Sequence, residues 1–353
     1  MLNFKVSTRI NDFFPGRGFG RGNRLDKNAW FAWLQGAGYR VHVIESDYLR
    51  YFREPGDDQA GLGDTRATYP GETLAHLAPL DISAREKART ILGSYVRRSF
   101  FLKMFRDGYA DVRRSGPGVA LGLPDWDESG RHLSVLASMQ ALDIVEEDMR
   151  AAGPGRAFFV HLLVPHFPYA YRSDCSVRPM EGAWLDVWDL SLAPRRNDSA
   201  SRALRYPQYL EQLQCTHTKV MDLLESWRSQ DWWDDALVVI HGDHGSRLDR
   251  GPPKSETIGY MTGQDFLDAY AAFLAVKRPG LPAEYDRRQL PLDHVFRKLV
   301  RDGVDPGDPE LERRPFVLVA DGSREKVPWA IPFFEYGLPD STIPAPIPGP
   351  IVR

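Results

Sequence analysis

Five short apolar segments alternate with helical patterns along this chain, and they constrain its fold more than any other feature. Each segment has five to eight residues and is typical of a strand that is buried on both faces. The segments are YRVHVIE (39–45), AFFVHLLV (157–164), ALVVIHG (236–242), AFLAV (272–276) and FVLVA (316–320). Apolar residues recur at helical spacing over 28–37, 133–151, 207–229 and 289–302. The alternation predicts an α/β fold, with a mixed, mostly parallel sheet and helices on both of its faces.

Length and proline content divide the chain into two parts. With 353 residues, of which 42% are hydrophobic, the chain is large enough for an extensive core. We expect an α/β domain over residues 1–310, followed by a C-terminal strand and a proline-rich tail over 311–353. The stretch 338–350 contains five prolines, a composition that favours an extended conformation.

The overall charge argues against nucleic acid as a partner. The 45 Lys and Arg residues nearly balance the 48 Asp and Glu residues, so no overall field attracts a polyanion.

Apolar runs such as 236–240 are far shorter than the roughly 20 residues of a membrane-spanning helix. The first residues, MLNFKVSTRINDFF, lack the apolar centre of a signal peptide. Taken alone, these features predict a cytoplasmic protein.

One stretch of the chain is locally basic. Residues 85–114 carry nine basic and three acidic side chains, mostly within a helix predicted over 83–106. Ser83 and Glu86 form a capping-box pattern at the start of this helix. Such a face is either ordinary solvated surface or a contact with a membrane or an anionic substrate. Membrane association through this helix is therefore one expectation.

The segment VVIHGDHGSR (238–247) places polar side chains directly after a predicted strand. In α/β sheets, ligands bind beyond the carboxyl ends of strands, where loops bring side chains together. Asp243 and His244 offer an oxygen and a nitrogen to one divalent cation, between glycines that permit a tight backbone. His241 lies at the end of the strand itself. We expect a metal site at this strand end.

A second polar position follows the strand over 157–164, in HLLVPHFPY (161–169). His166 lies just past the strand end, between Pro165 and Pro168. Proline fixes its own backbone φ angle and therefore restricts where the neighbouring imidazole points. His166 is a further candidate site residue.

These elements together resemble the alkaline phosphatase superfamily, in particular its sulfatase-like branch with the lipoteichoic acid synthases and phosphoethanolamine transferases. The resemblance covers residues 5–302. Besides GDHG and HLLVPHFPY, it includes LQGAGYRVHVIES near the start and FLAVKRPG with QLPLDHVFRKL near the end. It implies the sheet of that superfamily and a phosphate or sulfate ester as substrate.

The resemblance also implies roles for individual residues. Asp243 and His244 become metal ligands, and His166 contacts the phosphate or sulfate group, as His241 does from the strand end. The ion is zinc, manganese or magnesium, because the ligand types do not choose among divalent metals. Two basic residues, Arg247 and Lys254, either add positive charge for the anion or are ordinary surface side chains.

The nucleophile of this branch is a Thr, a Ser or a modified Cys. In VSTRINDFFPGRG, Thr8 matches best and Ser7 second. The implied mechanism is attack by this hydroxyl on phosphorus or sulfur, giving a covalent ester that water or an acceptor alcohol resolves. The modified-residue motif of ordinary sulfatases, C/S-x-P-x-R, is absent from the sequence.

The chain departs from the family at its start. Relatives begin with a strand that ends in an acidic metal ligand, whereas only seven residues precede Thr8 here. Three interpretations remain open: a longer parent protein that holds this strand and a membrane anchor, a degenerate member with an incomplete metal site, or a substitute acid at Glu45 or Asp47.

The two cysteines, Cys175 and Cys215, are either core thiols or one disulfide. Most relatives are extracytoplasmic, so the resemblance favours a disulfide. It also favours an exported parent, which would place the domain at the outer face of the membrane or in the periplasm.

We therefore expect a metal-dependent, sulfatase-like hydrolase or phospho-group transferase that acts on sulfate or phosphate esters of a cell-surface glycan or lipid. The alternative is a catalytically degenerate member that binds an anionic glycan or a protein partner.

Overall fold

The structure is a computed structural model, and it describes residues 29–45, 66–68, 83–85, 87–88, 117, 126–178, 199–246, 248, 268–284, 292, 295–296, 299, 316–320 and 326–330. The proline-rich tail over 338–350 lies outside these residues. Within them, none of the helices combines the length and the apolar character that a bilayer crossing requires.

The described residues include three helices of eight or more residues and seven strands. In chain order they are α1 (Ala29–Gly36), β1 (Arg40–Glu45), β2 (Arg66–Thr68), α2 (Trp126–Arg150), β3 (Arg156–His161), α3 (Ser199–Arg228), β4 (Val238–His241), β5 (Leu274–Lys277), β6 (Phe316–Ala320) and β7 (Lys326–Ala330). Each of the five segments predicted as strands overlaps an observed strand, although β3 begins and β5 ends one residue outside the predicted segment. In the helices predicted over 83–106 and 289–302, the described residues other than Ser83 are helical as well.

A parallel sheet with strand order β2-β1-β3 is the largest sheet among the described residues. β1 pairs in parallel with β2 and along its whole length with β3, so that Glu45 stands opposite His161. The carboxyl ends of β1 and β3 therefore lie at the same edge, and the chain leaves β3 toward His166 from there.

Both faces of β1 are covered, because successive side chains of a strand point to opposite sides. Val41 and Val43 pack with Phe31 of α1 on one face. Ile44 belongs to the main core on the other face, which α2 and α3 complete with residues that include Val135, Leu136, Leu142, Val145, Cys215, Leu223 and Trp227. Full burial of a side chain such as Phe31 contributes about 2–3 kcal/mol.

The remaining strands form two antiparallel pairs. β4 pairs with β5, with His241 opposite Leu274, and β6 pairs with β7. In the described residues these pairs are separate from the parallel sheet. One continuous, mostly parallel sheet and the domain limits 1–310 and 311–353 stay predictions.

The connection from α3 to β4 is held by a lysine of β5. The Lys277 ammonium group donates hydrogen bonds to the carbonyl oxygens of Trp233, Asp234 (2.9 Å) and Ala236 (3.0 Å). It also lies 4.8 Å from the centre of the Trp233 ring, within the range of a cation–π contact. These contacts fix the start of β4, and with it the loop that follows the strand.

Candidate functional site

The loop after β4 is bonded to the segment before β5. The backbone N–H of Gly242 donates to the carbonyl of Phe273 (2.9 Å), and that of Gly245 donates to the carbonyl of Ala269 (3.1 Å). The Ser246 hydroxyl donates to the carboxylate of Asp268. The chain turns tightly at Gly242, where an added Cβ would lie only 3.3 Å from the carbonyl oxygen of His244. Glycine at this position therefore permits the turn that presents Asp243 and His244.

His244 is held in one tautomer by its own loop. Its Nδ1 lies 2.6 Å from the carbonyl oxygen of Gly245. A carbonyl can only accept a hydrogen bond, so the neutral ring carries its proton on Nδ1 and keeps the lone pair on Nε2. This is the arrangement that metal-binding histidines commonly show.

The Nε2 of His244 faces the carboxylate of the preceding residue. It lies 3.7 Å from Oδ1 of Asp243, too far for a hydrogen bond. Two ligands at zinc-like distances of about 2.0–2.2 Å in a tetrahedral site are separated by about 3.4 Å. The observed spacing is close to that value. The Asp243 side chain is 68% exposed and that of His244 20%, so the pair is open to an ion from solvent.

These two residues fit a divalent ion as part of a ligand set. In the described ranges, no three or more His, Cys, Asp or Glu side chains converge on a common metal-binding point. Asp243 and His244 thus form a two-ligand arrangement, and any further protein ligand would come from residues beyond those ranges.

His166 lies next to this pair. Its ring centre is 6.3 Å from that of His244, with the ring planes at 66°. Its Nδ1 lies 2.7 Å from the carbonyl oxygen of Phe167, the same kind of bond as in His244. The peptide bonds before Pro165 and Pro168 are both cis. The structure therefore brings together Asp243, His244 and His166, although about 80 residues of chain separate them.

Gln212 of α3 holds the loop that carries His166. Its side-chain nitrogen donates to the carbonyl of His166 (2.7 Å). Its side-chain oxygen accepts from the backbone N–H groups of Ala170 (2.7 Å) and Tyr171 (3.2 Å). Sequence reasoning missed this residue. The available signal was a set of three polar residues on the helix face that packs into the core. They are Arg205, Gln212 and Thr216, and all three are buried.

Two further contacts join the same loop to the same turn of α3. Cys175 and Cys215 form a disulfide, with Cα atoms 5.0 Å apart. Arg178 makes an ion pair with Glu211. Together with Gln212, these contacts attach residues 166–178 to residues 211–215.

Tyr209 lies about one turn before Gln212 on α3. Its ring contacts that of Tyr169 edge to face, with centres 5.8 Å apart. Burial, together with the negative charge of Asp268 and the nearby Tyr206, raises the pKa of Tyr209 to about 12. Asp268 is the residue that accepts the hydrogen bond from Ser246. Tyr209 therefore contacts the loop that bears His166 and lies near enough to Asp268, which bonds the loop of Asp243 and His244, for its charge to act on the Tyr209 hydroxyl.

The other candidate residues do not join this group in the described part of the chain. His241 packs edge-on against Phe296, with ring centres 4.8 Å apart, and its Nδ1 lies 2.9 Å from the carbonyl oxygen of Gly242. Thr8, Arg247 and Lys254 lie outside the described residues. The substitute acid Asp47 does so too, while Glu45 is placed only by its register opposite His161.

No protein-family model matches the chain, and no curated protein matches its sequence. The geometry of the described residues and the motif resemblance are therefore what support a function.

Proposed function

We propose that this chain is a metal-dependent hydrolase or transferase that acts on a phosphate or sulfate ester. One observation carries the proposal: the 3.7 Å spacing between His244 Nε2 and Asp243 Oδ1, with the His166 ring beside them. This spacing suits two ligands of one ion better than a hydrogen bond between them.

Asp243 and His244 would hold the ion, which supplies Lewis-acid stabilisation of the charge that develops on the transferred group. His166 contacts the anion, because its ring lies within reach of a group bound at His244. In the neutral ring its Nδ1–H is directed to the Phe167 carbonyl, and a proton on Nε2 would make the ring a donor to an anionic oxygen.

The rest of the proposal follows the motif resemblance. Thr8 is the nucleophile that forms the covalent ester, and Arg247, Lys254 and His241 add charge or donors for the anion. The substrate is an anionic ester of a cell-surface glycan or lipid. The protein works at the outer face of the membrane or in the periplasm, attached through the basic helix over 83–106.

A second candidate function is a binding module for an anionic glycan or a protein, derived from such an enzyme. The two-ligand arrangement favours this function. No group of three metal ligands occurs in the described residues, which include 29–45, 126–178 and 199–246.

The first prediction concerns metal binding. We expect the full chain, incubated with Zn²⁺, Mn²⁺ or Mg²⁺ and desalted, to retain one of these ions in stoichiometric amount by plasma mass spectrometry. Asp243→Asn should lower the affinity at least about tenfold, because it removes a charged ligand from the pair.

Asp235→Asn is the matched control. The same chemical change then lies before the start of β4, at the opposite end of the strand from Asp243, and we expect metal retention to stay at the unsubstituted level. Equal and negligible metal in all three proteins would contradict the enzymatic proposal and leave the binding module.

A further inference from the structure

We propose that Gln212 is a positioning residue that sets the orientation of the His166 ring. It does so through hydrogen bonds to the backbone at residue 166 and at residues 170 and 171, on either side of the Phe167 carbonyl that accepts from the ring. This inference rests on the proposed function, because orientation matters only if His166 contacts the anion. Gln212 itself touches no candidate metal ligand in the described structure; it acts through the His166 loop.

The hydrogen bonds of Gln212 reach two positions of the loop, residue 166 and residues 170–171. The Gln212 amide donates to the carbonyl of His166, and its oxygen accepts from Ala170 and Tyr171. The bond between His166 Nδ1 and the Phe167 carbonyl lies between these two attachment points. Any change in the backbone between residues 166 and 170 would therefore rotate the imidazole relative to His244.

The glutamine side chain has the donor and acceptor groups that these three hydrogen bonds require. The loop presents one carbonyl and two N–H groups to the same point of α3, so the side chain must donate and accept at once. A glutamine amide does both in a fixed plane. Because Gln212 is fully buried, water cannot take over these bonds when the amide is removed.

Gln212→Met provides the test, because the methionine side chain has nearly the same length but neither donates a hydrogen bond nor accepts one of comparable strength. Gln212→Glu is the conservative comparison: burial favours the neutral carboxyl, which still has one O–H donor and one acceptor. Thr216→Val is the matched control. It removes a buried hydrogen bond of the same helix face, to the Gln212 carbonyl, without removing a contact to the His166 loop.

The main readout is the imidazole ¹⁵N spectrum of the full chain labelled at histidine, with the His166 signals assigned by His166→Gln. We expect a single Nδ1–H tautomer for His166 in the unsubstituted protein. Gln212→Met should shift these signals toward a mixture of tautomers, Gln212→Glu should shift them less, and Thr216→Val should leave them in place. The signals of exposed His217 should not move in any variant.

The second readout is the affinity for inorganic phosphate in the presence of the retained metal ion. Gln212→Met should weaken it about tenfold, as loss of a supporting contact typically does, while Thr216→Val should not change it.

Unchanged His166 signals in Gln212→Met, or an equal shift in Thr216→Val, would overturn the inference, even if Gln212→Met unfolds at a lower temperature. If Gln212→Met does not fold, Gln212→Asn carries the same test, because its shorter amide cannot reach both attachment points. A failure of the proposed function looks different: the unsubstituted protein would bind neither metal nor phosphate, while the spectra would still report on the His166 loop.

Discussion

Three histidines of this protein share one local arrangement. In His166, His241 and His244 the ring Nδ1 lies within hydrogen-bond distance of the carbonyl of the next residue. Each neutral ring therefore keeps its proton on Nδ1 and directs its other nitrogen away from its own backbone. Two of these rings lie together at the candidate site, and the third lies against Phe296.

A prediction at this scale concerns Tyr209. Its pKa is raised from 10.0 to about 12, so between these pH values the unfolded chain releases the proton and the folded protein keeps it. The free energy of unfolding should therefore fall as pH rises through this window, by about 2–3 kcal/mol from this residue. Below pH 10 the contribution is fully present.

Urea denaturation at several pH values between 9 and 12 measures this slope. Tyr209→Phe should make it shallower, because phenylalanine has no proton to release. Equal slopes for both proteins would contradict the prediction.

Sequence reasoning identified His166, Asp243 and His244 because glycine, proline and a strand end mark their positions. It could not identify Gln212, because a hydrogen bond between residues 212 and 166 depends on how α3 packs on the loop. That packing is a tertiary property which neither local propensity nor spacing encodes.

At the scale of elements, one turn of α3 carries three different bonds to the loop after β3. The turn contributes the carboxylate of Glu211, the amide of Gln212 and the sulfur of Cys215. The long helix thus supports the loop that bears His166, and Tyr209, about one turn earlier, contacts Tyr169 of the same loop.

The disulfide gives the prediction at this scale. Cys175→Ser together with Cys215→Ser should lower the free energy of unfolding by about 3–4 kcal/mol, the loss of chain-entropy constraint for a separation of 40 residues. Urea denaturation measures the change. A reductant should shift the unsubstituted protein to the same midpoint, because the chain has only these two cysteines.

The double variant serves as the control, since a reductant should not affect it. A thiol assay that finds two free thiols in the oxidised, purified protein would contradict the prediction.

The segments YRVHVIE and ALVVIHG both predicted strands, and both contain one. Their pairing was not readable from the apolar pattern, because a continuous apolar strand looks the same in a parallel and an antiparallel neighbourhood. β4 pairs antiparallel with β5, a tertiary pairing that the apolar pattern of either strand does not encode.

At the scale of the molecule, the candidate site gathers residues from distant parts of the chain. The loops at 166 and 243 bring the rings of His166 and His244 to 6.3 Å from each other, and the motif resemblance predicts a hydroxyl from residue 8. Helices cover both faces of the parallel sheet, so the open ends of the strands are where such residues can assemble.

The prediction at this scale is that Thr8 carries the covalent intermediate. After incubation with p-nitrophenyl phosphate and Mn²⁺ and an acid quench, peptide mass spectrometry should find one phosphoryl group on Thr8. Thr8→Ala should abolish this adduct, because alanine has no nucleophile. Ser7→Ala, the same loss of a hydroxyl at the neighbouring position, should retain it. An adduct on another residue, or one that persists in Thr8→Ala, would contradict the assignment.

The antiparallel pairing of β4 and β5 also places the start of β5 beside the candidate loop and its end at the far side of the pair. The residues before β5 support the candidate loop, whereas the turn after it, with Gly280 at φ 71°, emerges at the opposite end. The four residues of β5 lie between Phe273 and Arg278, and the five residue-to-residue steps span roughly 17 Å. A fluorophore or affinity tag attached in that distal turn would report on this part of the molecule without crowding the candidate site.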